Sequence, residues 1–269
     1  MNVRHASGLR ALLDRLLPAA VALLLVLAWE GLVRWAGIPH YTLPAPSLVA
    51  QTLAAHAASL AASWWFPLKV SFGALALAVA GGVLAACVFA LSRTLERAFL
   101  PVAVMLQVTP VVAVAPLILI YVESTTAALL LCTWLVAFFP ILSNTVIGLR
   151  AIDPGLRDLF RLCRATPLQR LRLLLVPTAL PYFVAGLKIS GGLSLIGAVT
   201  AEMVAGAAGR ETGLASRILE ASFRTETPKM FAALVLLVAT GVLIFWMFDG
   251  LSRRLLRRWQ GTAIQPVDP

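Results

Sequence analysis

The sequence predicts an all-α integral membrane protein with about six transmembrane helices. Of its 269 residues, 60% are hydrophobic and only 13% are charged, whereas soluble domains average about 45–50% apolar and about 25% charged residues. This composition excludes an ordinary soluble globule. A bilayer core about 30 Å thick requires about 20 apolar residues per helix, and several apolar runs meet that length. The runs are 17–36, 66–91, 99–122, 126–149, 182–205 and 230–251.

The basic residues are concentrated in particular connections between the apolar runs. The formal net charge is +10, and a basic excess suits either a nucleic acid or an anionic membrane as partner. Most Lys and Arg residues fall in the two tails, in the second–third connection (Arg93 and Arg97) and in the fourth–fifth connection, 150–181. Cytoplasmic loops carry such an excess. The distribution therefore predicts that both termini are cytoplasmic and that the partner is membrane lipid, with no nucleic acid.

The sequence divides into four parts around these runs. The first run follows a basic tail, so a cleaved signal peptide is an alternative. Because the run continues through Trp35 and is long enough to span, a retained helix is favoured. Prolines and an Ala-rich stretch predict an external loop and a short interfacial helix over 38–62. The expected parts are a cytoplasmic N-terminal tail (1–16), the first transmembrane helix with its external loop (17–62), a transmembrane domain (63–252) and a cytoplasmic C-terminal tail (253–269).

Polar residues lie beside prolines in the third and fourth runs. Pro101, Pro110 and Pro116 fall within the third run, and each removes an amide donor and kinks a helix. Broken backbone at membrane depth is tolerated where protein or an aqueous cavity satisfies it. The neighbouring polar side chains are candidates for lining a solute pathway or, alternatively, for hydrogen bonds between packed helices. These candidates are Gln107, Thr109, Ser143 and Asn144.

Small residues recur along the fifth run. Gly197, Ala201 and Ala205, at four-residue steps, place small side chains on one helix face, which predicts close helix packing. Glu202, near the outer end of the same run, is a further candidate for the pathway, as a substrate-binding or gating group. The alternative is a carboxylate that snorkels to the membrane surface.

An amphipathic helix is predicted at the start of the connection 150–181. Asp153 followed by Pro154 provides an N-cap and a first-turn proline. Apolar residues then recur at i, i+3, i+4 and i+7, the spacing of one helix face. These residues are Leu156, Leu159, Phe160 and Cys163.

A second helix start follows in the same connection. Thr166 at the N-cap, Pro167 at N1 and Gln169 at N3 form the pattern of a capping box. Pro177 and Pro181 are expected to end this helix before the fifth run. A helix pair with an apolar face and an arginine-rich face suits docking into a groove of a cytoplasmic partner. The alternative is an amphipathic helix lying on anionic lipid.

The sequence contains no catalytic or nucleotide-binding pattern. His5, His40 and His56 lie in tails or loops, and neither HExxH nor GxSxG occurs. The three cysteines form no CxxC pair, which argues against a zinc or redox site. No lysine follows a glycine as the phosphate-binding loop of an ATPase requires. The sequence therefore predicts neither an enzyme nor an ATPase, and a channel without a docking loop is the rival transport class.

The run 148–206 resembles the integral-membrane permease subunits of ABC importers. More narrowly, it is similar to the type I permeases of the nitrate, sulfonate, taurine and thiamine-precursor group. The resemblance extends from about Leu43 onward and includes LPAPS and the external segment GLASRILEASFRTETPKMFAAL. It implies the type I ABC importer permease fold, with a cytoplasmic coupling-helix loop at 150–181, called the coupling loop below.

The family's cytoplasmic motif falls within the coupling loop. Its form is Glu-Ala-Ala, three residues, Gly, nine residues, then Ile, any residue, Leu and Pro. Counting back from Pro177 places its acid on Asp158 and its glycine on Arg164. Glycine permits φ > 0 at the turn between the two helices, a conformation that costs another residue about 1–2 kcal/mol. The ATPase-coupling residues that the resemblance implies are Asp158, Leu159, Phe160, Cys163, Arg164, Leu174, Val176 and Pro177.

The resemblance also implies partners for this chain. A separate cytoplasmic ABC ATPase subunit would bind ATP and Mg, so no cofactor is expected on the chain itself. A substrate-binding protein, periplasmic or lipid-anchored, would deliver the solute. A second copy of the permease would complete a homodimer in the bacterial inner membrane.

The resemblance favours one class of solute. The runs RTLERAFLPVAVMLQVTPVVAVAPLILIY and FFPILSNTVIGL look more like those of permeases for thiamine pyrimidine precursors and similar heterocycles than like those of sulfonate or nitrate permeases. A small oxyanion such as a sulfonate, taurine or nitrate is the alternative. An oxyanion would benefit from buried cationic donors, and no Lys or Arg is expected at mid-span.

Overall fold

Helices account for nearly all of the described chain. The computed structural model describes residues 3–210 and 213–260, with side chains described over 16–210 and 213–256. These ranges contain no strand, which confirms the predicted all-α class. Residues 261–269 of the predicted C-terminal tail lie outside the described residues. The described elements are α1 (Val3–Trp35), α2 (Pro46–Ala55), α3 (Ala57–Leu91), α4 (Arg93–Val108), α5 (Val111–Tyr121), α6 (Thr125–Arg150), α7 (Pro154–Leu162), α8 (Pro167–Arg170), a π-helical segment (Leu171–Leu175), α9 (Val176–Ala207), α10 (Leu214–Phe223) and α11 (Thr227–Gln260).

Five helical stretches of the described chain are long and apolar enough to cross a membrane, and α4 with α5 forms a sixth candidate. The predicted number of about six spans is therefore confirmed. The single stretches are Leu16–Trp35, Ala57–Leu91, Thr125–Arg150, Pro167–Ala207 and Thr227–Leu256.

The third apolar run forms two helices where the sequence predicts one kinked helix over 99–122. Helix α4 begins earlier than expected, at Arg93, and its axis meets that of α5 at 99°. Thr109 leaves the helical conformation with φ −67° and ψ 121°, and Pro110 precedes the first turn of α5. Because proline has no N–H to continue the hydrogen-bond ladder, the chain turns sharply at this point.

Helix α8 continues into α9, contrary to the expectation that Pro177 and Pro181 end it. The π-helical segment Leu171–Leu175 joins the two helices, and the stretch Pro167–Ala207 counts as one candidate span of 41 residues. Pro177 lies in the first turn of α9 and Pro181 lies inside it. The wide turn shifts the backbone hydrogen-bond register just before the first proline, where an amide donor is missing.

The helices divide into two compact units. In the first unit, Glu30 on α1 accepts hydrogen bonds from the Ser47 N–H at 2.9 Å and the Ser47 hydroxyl at 2.8 Å, which fixes the start of α2. Arg217 hydrogen-bonds to Glu220 on α10 and lowers the pKa of that carboxyl, with a smaller contribution from Arg224. The first unit comprises Met1–Ala61 and Arg217–Val235, and the second comprises Ala62–Ser216 and Leu236–Pro269.

Helices α6 and α9 form the centre of the second unit. Near one end of the pair, Leu129 and Cys132 pack with small residues of α9. Near the other end, Leu142 and Leu149 pack with Ala179. The second cluster also receives residues of the π-helical segment, so it holds the base of the coupling loop on α6. The small α9 residues of the first cluster are Ala198, Ala201 and Ala205.

Glycines allow α6 and α9 to approach closely. A Cβ atom on Gly186 of α9 would lie 2.7 Å from the carbonyl oxygen of Pro140, and one on Gly148 of α6 would lie 2.7 Å from the Cβ of Tyr182. Real Cβ atoms essentially never approach so closely. The close packing predicted from the small residues of the fifth run is confirmed, since all three are buried. These residues are Gly197, Ala201 and Ala205.

Candidate functional site

The coupling loop contains two helix starts where the sequence predicts them. The Asp153 carboxylate accepts a hydrogen bond from the Leu156 N–H at 3.1 Å and caps α7, with Pro154 at its N-terminus. At α8, the Thr166 hydroxyl accepts from the Gln169 N–H at 3.3 Å, and the Gln169 side chain accepts from the Thr166 N–H at 2.8 Å. The predicted N-cap and capping box are both confirmed.

One face of α7 presents apolar side chains that remain about half exposed or more. Leu156 is 47% exposed, Leu159 is 51% exposed and Leu162 is 82% exposed. Asp158 is also exposed and forms an ion pair with Arg161 at 3.5 Å. Phe160 is half-buried. Helix α7 therefore carries an uncovered apolar stripe of the kind that marks a protein interaction site.

The opposite face of α7 lines a cavity of about 910 Å³ in the second unit. Residues from the end of α3, the start of α4, the end of α6, α8 and the π-helical segment complete its wall. Six arginines lie in this wall, and Glu96 is the one carboxylate among the lining residues. We call this cavity the arginine pocket. Its arginines are Arg93, Arg97, Arg150, Arg157, Arg161 and Arg170.

Arg164 occupies the turn between α7 and α8 in a left-handed conformation. Its φ is 51°, as expected for the position that the family motif gives to glycine. The Ala165 N–H donates back to the Phe160 carbonyl at 3.1 Å, which closes the end of α7. A non-glycine residue at such a φ stores about 1–2 kcal/mol of strain.

We expect Arg164→Gly to leave coupling unchanged or to improve it, because glycine adopts φ 51° without strain. The measurement is ATP hydrolysis by the assembled transporter in liposomes. Cys163→Gly is the matched control, because Cys163 has φ −71° and glycine relieves no strain there. A large loss of stimulated hydrolysis in Arg164→Gly alone would reveal a specific contact of the guanidinium and contradict the expectation.

The other implied coupling residues face in different directions. Leu174 is buried at the base of the coupling loop, whereas Val176 is 46% exposed and Pro177 is half-buried. Cys163 is exposed at the end of α7. The eight residues therefore share one continuous segment but not one face, and Leu159 and Val176 are the apolar members that are most available to a partner.

The four candidate pathway residues of the third and fourth runs lie on two elements. Gln107 and Thr109 are exposed at the α4–α5 bend, and the Thr109 hydroxyl donates to the Met105 carbonyl at 2.8 Å. Ser143 is half-buried on α6. The Asn144 amide, also half-buried, donates to the Pro140 carbonyl of its own helix at 2.8 Å. Gln107 has no hydrogen-bond partner within the described residues, so its amide is the most available of the four.

Glu202 is enclosed by protein. Its side chain is only 1% exposed, so it does not reach the membrane surface as a snorkelling carboxylate would. One carboxylate oxygen accepts the backbone N–H groups of Ala215 at 2.9 Å and Ser216 at 3.2 Å, at the start of α10. The other oxygen is buried and has no hydrogen-bond partner among the described residues. Glu202 thus anchors the connection from α9 to α10.

An ion pair inside the second unit was missed by sequence reasoning. Lys188 lies well within α9 and its ammonium is 2.6 Å from an Asp249 carboxylate oxygen on α11. The same ammonium lies 4.7 Å from the ring centre of Phe245. The two residues are 61 positions apart in sequence. The one sequence signal for their contact is that each is a charged residue in an otherwise apolar run and that the two charges are opposite. A cation does therefore lie within the fifth span, but it is neutralised.

Comparison with known proteins decides the family. Residues 78–257 match the sequence profile of the binding-protein-dependent transport system inner membrane component family. The chain belongs to this family. It is a multi-pass inner-membrane permease subunit of an ABC importer, a transporter component and not an enzyme, and the family works with ATPase and substrate-binding protein partners.

Several permeases are similar to this one over nearly their full length. The riboflavin transport system permease protein RibX of Chloroflexus aurantiacus is 35% identical over 91% of this chain and 90% of its own. The formylaminopyrimidine transport permease protein ThiX of Halalkalibacterium halodurans is 32% identical over 89% and 94%. A probable ABC transporter permease protein of Haemophilus influenzae is 30% identical over 89% and 96%.

The fold of the permease is also that of a solved ABC transporter. The MetNI methionine ABC transporter in an inward-facing conformation matches with a TM-score of 0.60 and 23% identity, over 72% of this chain and 95% of that chain. At this identity the match shows the fold alone, and it confirms the predicted permease fold.

Proposed function

We propose that this permease forms the gated pathway for a small heteroaromatic solute, such as a pyrimidine precursor of thiamine. The observation that carries the proposal is the full-length similarity to two permeases named for riboflavin and for formylaminopyrimidine transport, at 35% and 32% identity. Permeases named for aliphatic sulfonates, nitrate and bicarbonate match only 59%, 51% and 65% of the chain, at 27–30% identity.

The state of the lysine in α9 supports a neutral solute over the alternative, a small oxyanion. An oxyanion crossing a low-dielectric region needs cationic or hydrogen-bond donors along its path. The one lysine within α9, Lys188, is held by Asp249 at 2.6 Å and by the Phe245 ring, so its charge is already compensated. Amide and hydroxyl groups suit a polar ring that carries no net charge.

We propose that the polar residues Gln107, Thr109, Ser143 and Asn144 contribute to this pathway. The α4–α5 bend exposes Gln107 and Thr109 at a point where the backbone ladder is interrupted. Such a break within a candidate span suits the wall of an aqueous cavity. Glu202 acts through another element in this proposal: it fixes the start of α10 at the end of α9 and so positions the external end of the pathway.

We infer that α7 docks on the ATPase subunit through its exposed apolar face. Leu156, Leu159 and Leu162 provide contact area, while the caps at Asp153 and Thr166 keep the loop folded before a partner binds. This assignment makes the face that carries the coupling loop cytoplasmic, and we propose that both termini lie on the same side, which the distribution of Lys and Arg along the sequence supports. A second copy of the chain completes the transporter as a homodimer.

Transport by the reconstituted system tests the proposed solute. The permease, its ATPase subunit and its binding protein are assembled in liposomes, and ATP-dependent uptake of a labelled aminopyrimidine is measured against competing riboflavin, taurine and nitrate. We expect ATP-dependent uptake of the aminopyrimidine that excess riboflavin, a heterocycle, inhibits. Neither nitrate, an anion, nor taurine, a zwitterion, should inhibit it. ATP-dependent uptake of taurine or nitrate instead would establish the alternative solute class.

A further inference from the structure

The arginine pocket has more positive charge than its own chain neutralises. Glu96 is buried and bonds to Arg150. The pair of Arg161 with Asp158 is exposed. The other pocket arginines have no acidic partner among the described residues, although their side chains converge on one cavity. These four are Arg93, Arg97, Arg157 and Arg170.

One arginine of the pocket also has an unsatisfied buried donor. The Nε atom of Arg170 is buried and finds no hydrogen-bond acceptor within the described residues. A buried donor left without an acceptor is costly, and several guanidinium groups that share one cavity repel each other unless an anion separates them. An anion with several acceptor oxygens in the pocket would both accept a hydrogen bond from the Arg170 Nε and reduce the repulsion between the guanidinium groups.

The helix that begins at the pocket adds to its positive potential. The first five residues of α4 contribute Arg93, Glu96 and Arg97 to the wall. The N-terminus of a helix carries a partial positive charge from its aligned peptide dipoles. Glu96 offsets part of this charge, but its carboxylate is already bonded to Arg150. The pocket is therefore electropositive from both its side chains and its backbone.

We propose that the arginine pocket binds a phosphate-bearing anion. The planar guanidinium fork matches phosphate oxygens in a bidentate manner, and a volume of about 910 Å³ accommodates a headgroup or a small polyphosphate. The anion joins Arg157 of α7 to Arg93 and Arg97 of α4, and so holds the coupling loop against the ends of the spans. Binding is independent of the proposed function, whereas an effect of the anion on ATPase coupling rests on it.

Binding is tested on the full-length permease alone in lipid nanodiscs, without the ATPase subunit. One arm adds inorganic pyrophosphate to nanodiscs of phosphatidylcholine at about 0.15 M salt, where unspecific surface charge is screened beyond about 8 Å. The second arm replaces part of the phosphatidylcholine with phosphatidic acid and adds no pyrophosphate. The variant is the double substitution Arg97→Gln and Arg157→Gln. The control is Arg172→Gln, an exposed arginine of the same loop that does not line the pocket.

We expect the midpoint of thermal unfolding to rise saturably with the phosphate probe in at least one arm. The apparent affinity for that probe should fall at least tenfold in the double variant and less than twofold in Arg172→Gln. A rise with pyrophosphate identifies a soluble phosphate compound, and a rise with phosphatidic acid alone identifies a lipid headgroup. The proposal is wrong if neither probe has an effect, or if Arg172→Gln loses as much affinity as the double variant. A separate measurement adds the ATPase subunit to the same nanodiscs: the proposal is also wrong if the double variant loses affinity for the ATPase subunit but for neither phosphate probe, because the pocket then receives an acidic protein segment.

Discussion

A Leu159→Glu permease is expected to insert and fold normally but to lose more than about tenfold of its stimulation of the ATPase subunit. Leu159 is 51% exposed on the apolar face of α7, so a carboxylate there remains in water while the permease is alone. Docking would bury that charge in an apolar groove, which costs several kcal/mol, and about 1.4 kcal/mol already corresponds to a tenfold change in affinity. ATP hydrolysis and solute uptake in liposomes report the loss.

Gln169→Glu is the matched control for this substitution. It adds the same charge to the same loop, and a glutamate at N3 preserves the capping box that Thr166 and Gln169 form. Phe160→Pro gives an independent test, because proline inside α7 breaks the helix at a cost of about 3 kcal/mol. Full stimulation of the ATPase subunit by Leu159→Glu and Phe160→Pro would show that α7 is not the docking element. An equal loss of stimulation in Gln169→Glu would show that the added negative charge, and not its position on α7, causes the loss.

A single methyl group is expected to have opposite effects at two glycines of α9. Gly186→Ala places a Cβ atom 2.7 Å from the Pro140 carbonyl oxygen and 2.9 Å from the Asn144 Cβ, so α6 and α9 must separate. Such overpacking costs about 1–3 kcal/mol. Gly192→Ala meets no atom within 4 Å and should stabilise the helix by about 0.5–1 kcal/mol, because alanine loses less backbone entropy than glycine.

Thermal unfolding of the purified variants measures the difference. A change of 1 kcal/mol moves the midpoint by about 2–4 °C in a protein of this size. We therefore expect Gly186→Ala to unfold several degrees below the parent and Gly192→Ala to unfold at or slightly above it. A common shift in both variants would mean that helix propensity, and not the α6–α9 contact, determines the outcome.

Local hydrogen bonding explains which parts of the site the sequence could predict. The starts of α7 and α8 follow from Asp153 and Thr166, because each side chain bonds to an N–H three residues later. Composition and periodicity likewise define the spans, since each needs only its own apolar length. The left-handed turn at Arg164 was predictable only through the family motif, because its own side chain disfavours that conformation.

Features that depend on distant contacts were not predictable. Pro177 and Pro181 carry the local signal for a helix end, yet the π-helical segment before them keeps the chain helical and the packing on α6 fixes it. Gly186 and Gly192 have the same intrinsic helix propensity, and they differ in that Gly186 faces atoms of α6 whereas Gly192 faces open space. The arginines of the pocket come from connections more than fifty residues apart, and the burial of Glu202 depends on the return of the chain at 213–216.

The continuous stretch from Pro167 to Ala207 has a mechanical consequence. Its 41 residues correspond to a rod of about 60 Å at 1.5 Å per residue, roughly twice the thickness of the bilayer core. Glu202 ties the far end of this rod to α10, and the π-helical segment Leu171–Leu175, which lies within the coupling loop, interrupts the regular α-helix near the other end. A displacement of the coupling loop would therefore either bend the helix at this segment or tilt its far end at the opposite membrane face. The stiffness of these five residues determines how much of the displacement becomes bending and how much becomes tilt.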